Sequence, residues 1–234
     1  MLDALPLERD RAYRGLMDMI VSGGIDPSAP LSERKLADTL EVGRTPMREA
    51  LRDLARDGVL EVWPARGTFV RQLSLIDVQE IYEVRYSLEG SAAFLAAERG
   101  SSPALRAYGA NFRSMIIGEL AENPSEIYDT GAEFHTEIFR AARNKQLLQV
   151  YEPIRLRFRI AFERPRYYDH TRVRETVGEH LEILNAIEAG KGDAARKLIC
   201  AHLTKGLEAR MALLKRQAKP NIPAPFLKRA RALA

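Results

Sequence analysis

Between Leu31 and Val70 the chain carries its densest run of helix caps, breakers and strand signals, and that stretch limits the possible folds most. Ser32 is a ready N-cap for a short helix, ERKLADTL, with Leu36, Ala37 and Leu40 on one face. A turn at Glu41-Val42-Gly43-Arg44 follows. Thr45 then reads as an N-cap and Pro46 as the first residue of a second helix that runs to Gly58. Met47, Ala50, Leu51, Leu54 and Ala55 share its apolar face. Two β-like runs, Val59–Trp63 and Thr68–Val70, come next, joined by Pro64-Ala65-Arg66-Gly67. Two short helices around a tight turn, then a hairpin, describe a winged helix-turn-helix. In such a head the second helix lies in the major groove of DNA while the first crosses the backbone.

The outward face of the second helix offers Arg44 and Thr45 at its start, then Arg48 and Arg52. Arginine suits this position because its planar fork bridges guanine O6 and N7 or clamps a phosphate. The first-turn N–H groups of Thr45–Met47, proline aside, are candidate phosphate donors. Arg34 on the supporting helix and Arg66 at the hairpin tip, beside permissive Gly67, complete the candidate DNA contacts. The competing reading is a structural subdomain whose arginines pair with Glu49, Asp53 and Asp57. Net charge does not decide between the two. The chain is formally +4, yet six basic groups and no acid lie in its last 20 residues, and residues 1–72 are slightly acidic.

From Ser74 onward strand signals vanish. Long amphipathic helices are expected at about 75–98, 103–121, 125–142, 145–163, 172–189 and 192–216, with breakers at Gly100, Pro103, Asn123-Pro124, Asn144, Pro165 and Gly190-Lys191-Gly192. The fold class is therefore mainly α. A winged helix-turn-helix over 1–72 precedes an antiparallel helical bundle over 73–216, and 217–234 form a basic tail. In the first bundle helix the stripe Ile81, Val84, Leu88, Ala92 and Leu95 is suited to packing on the rest of the bundle. A single cysteine excludes an intramolecular disulfide, and no segment approaches the roughly 20 apolar residues of a membrane span. A reducing cytoplasm is the expected setting, with no membrane partner.

His135, His180 and His202 each fall on the apolar face of a different predicted helix, whereas His170 falls in an expected loop. Imidazoles converging in a bundle core suit Zn²⁺ or a similar ion; hydrogen-bonded core histidines are the alternative.

The stretch PLSERKLADTLEVGRTPMREALRDLARDGVLEVWPARGTFV closely resembles the winged helix-turn-helix of GntR-superfamily repressors. That resemblance implies DNA contacts from Arg34, Arg44, Arg48 and the wing around Gly67; Gly43 stands where the family often has Ser or Thr. The bundle resembles the FCD effector domain of the FadR type through Arg85-Tyr-Ser-Leu88-Glu89, Phe134-His135, Glu179-His180 through Ile187, and His202-Leu203. It implies a divalent metal on His135, His180, His202 and an aspartate one turn before the first. Gly131 occupies that aspartate's position, while Asp129 is turned about 240° away on the helix, so weaker metal binding or none is expected.

If the metal is lost, the histidines would bind an anionic effector directly, with Arg85 nearby and Arg155 and Arg159 as further candidates. The resemblance also implies a homodimer on palindromic operator DNA and a small carboxylate effector. The rival function is a metal-dependent hydrolase on the three histidines. It lacks a placed general base, because Glu179 should point off the His180 face, and it gives the winged head no purpose.

Overall fold

The computed structural model describes residues 8–117, 124–162 and 170–217. In the head, α1 (Glu8–Val21) buries Ala12, Leu16, Met17 and Ile20 against α2 (Glu33–Thr39) and α3 (Arg44–Arg56). Ser32 caps α2 as its sequence suggests, accepting from the Lys35 N–H at 3.4 Å. The start of α3 differs by two residues from the expectation. Its N-cap is Gly43, without a side-chain cap bond, and Thr45 and Pro46 both lie inside the first turn. The Met47 N–H already donates to Gly43 O at 3.1 Å. Arg44 and Thr45 therefore hold the first-turn donors, and Met47 is removed from the phosphate-binding set. Glycine supplies the extended N-cap conformation here, so threonine is not needed for it.

β1 (Leu60–Trp63) and β2 (Gly67–Val70) pair antiparallel, Leu60 opposite Val70 and Trp63 opposite Gly67. The turn between them holds Ala65 at φ 60° and Gly67 at φ 112°, the second a conformation that glycine adopts without strain. Leu31 N–H donates to Thr68 O at 2.7 Å, tying the loop before α2 to the wing.

Behind the head, α4 (Leu75–Arg99) opens with a capping box in which Ser74 and Asp77 exchange hydrogen bonds. The helices α5 (Pro103–Ile117), α6 (Pro124–Ala141), α7 (Lys145–Phe162), α8 (His170–Glu188) and α9 (Gly192–Gln217) complete the bundle. Its core includes Phe112, Phe134, Ile138, Phe139, Ile183, Leu184, Ile187 and Ile199. On α4, Ile81 and Ala92 are buried and Leu88 and Leu95 pack on the core, but Val84 turns outward and is 40% exposed, contrary to the expected stripe. The buried face of α4 here runs through Val78, Tyr82, Arg85 and Glu89, and Val84 points away from it. His170 opens α8 and does not lie in a loop. The breakers Asn123 and Pro165 and residues 218–234 of the basic tail lie outside the described residues.

Among the described residues three core clusters form, one in the head and two in the bundle, the smaller of those two around Val78, Tyr82 and Leu203. One bundle side chain, Leu156 of α7, packs into the head cluster. Among the described residues no helix is long and apolar enough to cross a membrane.

Candidate nucleic-acid interface and metal centre

The inward residues Met47, Ala50 and Leu54 fix which face α3 turns to solvent. That face presents Arg44, Thr45, Arg48 and Arg52, all exposed. Arg34 is 78% exposed on α2, with only a loose contact of 3.9 Å to Asp38. Arg66 sits at the wing tip over the Trp63 ring, 5.7 Å from its centroid. Of the competing acids, Asp53 pairs with Arg56 at 2.6 Å and Asp57 accepts from Tyr13 at 2.7 Å, while Glu49 is exposed beside Arg48 and, among the described residues, makes no ion pair with these arginines. The pairing that does occur on that face comes from elsewhere. Glu33 accepts from Arg48 Nε at 3.1 Å and Nη2 at 2.9 Å. The Glu8 carboxylate accepts from the Gly43 N–H at 3.3 Å.

In the bundle, His135 (α6), His180 (α8) and His202 (α9) come together, all buried, each with one donor atom within 4.8 Å of the others. The Nε2 atoms of His135 and His180 are 3.2 Å apart. That is close to the roughly 3.3 Å edge of a tetrahedron whose metal–nitrogen bonds are 2.0–2.1 Å. Two carboxylates orient the rings from behind. His135 Nδ1 donates to Glu89 Oε2 at 2.5 Å, and His202 Nδ1 donates to Glu179 Oε2 at 2.8 Å. A carboxylate only accepts, so each contact fixes the Nδ1–H tautomer and leaves a lone pair on Nε2. The donor set therefore fits a divalent ion. The absent fourth ligand also has a steric side: a Cβ on Gly131 would lie 2.8 Å from His180 Cε1, so the ring occupies the space a side chain there would need.

Sequence reasoning missed Glu89 and Glu179 in this role. Glu179 does point away from His180, as expected, but across to His202 on α9, where Arg172 holds it at 2.7 and 2.8 Å and Lys205 at 3.0 Å. Glu89 was legible only as the fourth residue after Arg85. Arg85 is buried and donates to Glu89 Oε1 at 2.6 Å, its guanidinium 3.9 Å from the Phe158 ring centroid. It thus stands behind Glu89, one residue removed from the histidines. Arg155 bridges Glu152 at 3.0 Å and Glu133 at 3.3 Å, an ion-pair role, and Arg159 lies partly buried one turn further along α7.

Burial alone would raise the Glu89 carboxyl, but Arg85 and His135 bring it down to about 2. Burial holds His180 well below the ordinary imidazole value, with His202 and His135 acting in the same sense. It also lowers His202 to about 4 against the pull of Glu179. Both rings are neutral in the fold at pH values where the unfolded chain takes up protons. The unfolded state therefore binds more protons below about pH 6.5, and stability falls with pH there. With chelator present, stability against thermal unfolding is expected to fall as pH drops from about 6.5 toward 4, by up to about 1.4 kcal/mol per pH unit for each ring. His180→Gln should flatten that slope; a melting temperature constant across this window would contradict the assignment.

Residues 8–70 match the family model for bacterial regulatory proteins of the gntR family, and residues 80–205 match that for the FCD domain. The Nta operon transcriptional regulator of Aminobacter aminovorans is 31% identical over 192 residues, covering 80% of this chain and 87% of that protein. The transcriptional repressor RspR of Escherichia coli (strain K12) is 27% identical over 194 residues, covering 82% and 83%. The solved structure of E. coli McbR/YncC shares the fold, with a TM-score of 0.73 over 92% of this chain and 100% of that one at 22% identity. The relatives are regulators, so the hydrolase reading has no support, and the chain belongs to the GntR family of bacterial transcription regulators, its DNA-binding head joined to an FCD domain.

Proposed function

We propose that this chain is an effector-responsive repressor acting on chromosomal DNA in the cytoplasm, as a homodimer on a two-fold operator. Arg34, Arg44, Thr45, Arg48, Arg52, Arg66 and Gly67 form the DNA-facing set. The helical domain takes a small carboxylate at the three-histidine centre, with His135, His180 and His202 holding a divalent metal such as Zn²⁺. When bound, that metal supplies an open coordination position for a carboxylate oxygen. Arg172 and Lys205, gathered on Glu179, add positive charge beside it. RspR, a relative named as a repressor, favours repression over activation. Dimerisation follows from the geometry of recognition: one α3 reads half a site, and a two-fold pair reads both halves about one helical turn apart or a multiple of it.

The observation that carries the effector-responsive reading is α7. Its consecutive residues Leu156, Arg157 and Phe158 touch, in turn, the head core, the end of the recognition helix and the Arg85 guanidinium behind the histidines. A site buried in the bundle is thereby in mechanical contact with the element that reads DNA.

Selection from a random-sequence duplex pool, followed by gel shift, tests the DNA-binding part. The wild-type chain is expected to enrich a palindrome and to bind it with strong salt dependence. Arg48→Ala should lose discrimination at one base pair of each half-site by about 1–3 kcal/mol; an unchanged footprint would remove Arg48 from the base-reading set. Metal analysis of the purified chain beside His180→Ala tests the centre. Near-stoichiometric metal in the first and none in the second is the expected result.

A further inference from the structure

The supporting helix carries a carboxylate into the middle of the recognition face. Glu33 is the first residue of α2, directly after the capping Ser32, and Leu36 and Ala37 anchor that helix in the head core. Its two oxygens each take one hydrogen bond from the same edge of Arg48, Oε2 from Nε and Oε1 from Nη2. Arg44 and Arg52 stand one turn to either side of Arg48 on α3. The Arg48 hydrogen bond, helped more weakly by the charges of Arg48, Arg44 and Arg52, holds the Glu33 carboxyl below its ordinary range against the opposing effect of burial.

A guanidinium has five N–H bonds in one plane, so a bidentate carboxylate on the Nε/Nη2 side does two things. It stops the plane from rotating, and it leaves the end edge, one hydrogen each on Nη1 and Nη2, as a pair of parallel donors. Those are spaced for guanine O6 and N7. An unheld arginine would distribute itself between base edges and phosphates, which give affinity without sequence information.

Building on the recognition-helix reading above, we propose that Glu33 is a specificity-determining positioning residue, which holds Arg48 by one edge so that the other reads a guanine in the operator. Its negative charge at the same time keeps a phosphate from taking that arginine. The head thus gives up some non-specific attraction at this point and gains base discrimination.

The test uses the full-length chain and the duplex that the wild type selects from a random pool, with every base substituted in turn. Glu33→Gln is expected to bind random-sequence duplex several-fold more tightly, with a steeper salt dependence, by about one counterion. Its preference for the guanine facing Arg48 should fall about 10-fold, the scale of one bidentate contact. Glu33→Asp, which keeps the charge on a shorter arm, should recover part of that preference. In an Arg48→Lys background, Glu33→Gln should change base preference no further, because the fork is already gone. A merely structural glutamate would shift melting temperature and leave the base-preference profile intact. If Glu33→Gln, folded by circular dichroism, keeps the wild-type preference at every position, the ion pair gives way on DNA and the proposal is wrong. If the wild type itself enriches no sequence, the recognition-helix reading fails and carries this inference with it.

Discussion

Glu89→Ala is expected to destabilise the helical domain by about 3–5 kcal/mol, the scale of breaking a buried ion pair from one side. Glu89 is fully buried and joins the Arg85 guanidinium at 2.6 Å to His135 Nδ1 at 2.5 Å. Removing its carboxylate strands a buried cation, left among the described residues against the faces of Phe158 and Tyr82, and frees the His135 ring to change tautomer. For a chain of this size the melting temperature should drop by on the order of 10 °C. A double-mutant cycle separates this from general core damage. Arg85→Met with Glu89→Leu removes both charges at once and should be more stable than either single variant, since neither leaves an uncompensated ion. Glu89→Gln, which preserves shape and one acceptor, should fold and yet bind zinc about 10–100-fold more weakly, the usual cost of losing an orienting partner. A Glu89→Ala chain that melts with the wild type would show that the pair contributes nothing to the fold.

The same residues show how far the sequence alone could reach. Local signals specified the head closely, because caps, breakers and hairpin turns act over three or four residues: Ser32, Gly58 and Gly67 all stand where their chemistry required. The α3 start was misplaced because both Gly43 and Thr45 are competent caps, and only the tertiary path of the turn chose between them. Helical periodicity likewise put His135, His180 and His202 in the interior. It could not supply their partners. Glu179 meets His202 across the α8–α9 contact, and Glu89 meets His135 across α4 and α6, distances no spacing along one helix encodes. The expectation of weak metal binding rested on Gly131 alone, and a count of first ligands overlooks the two carboxylates that fix ring orientation from outside. The head–bundle contact was invisible for the same reason, since nothing in a run of alternating arginines on α7 says which one will cross to α3.

That crossing residue leads to the second large effect. Arg157→Ala is expected to abolish the response of operator affinity to ligation of the histidine centre while leaving the centre itself intact. Arg157 Nε donates to Asp57 O at 2.6 Å, at the C-terminal cap of α3, where a cation also meets the negative end of the helix dipole. Gly58 sits at φ 75°, which favours glycine, and the approach is close enough that a Cβ there would lie 2.6 Å from Arg157 Nε and push the guanidinium aside. On its other side Arg157 is flanked by Phe158, stacked under the Arg85 that holds Glu89 and, through it, His135. Pro153 interrupts the backbone ladder of α7 between Tyr151, stacked on Phe139 in the bundle core, and Leu156 in the head core. A helix bends most readily at such a point, so a change in the Glu89–Arg85 pair can tilt the distal half of α7 without unpacking the proximal half. Loading the wild type with Zn²⁺ should then shift operator affinity by about 5–150-fold, the usual range for coupled sites. In Arg157→Ala that factor should fall to near one, with zinc affinity and base preference unchanged, because the cut lies between the two sites and in neither. Arg157→Lys, which keeps the charge and loses the Nε geometry, should fall between them. A variant that retained the full wild-type factor would mean that the bundle reaches the recognition helix by a route other than α7.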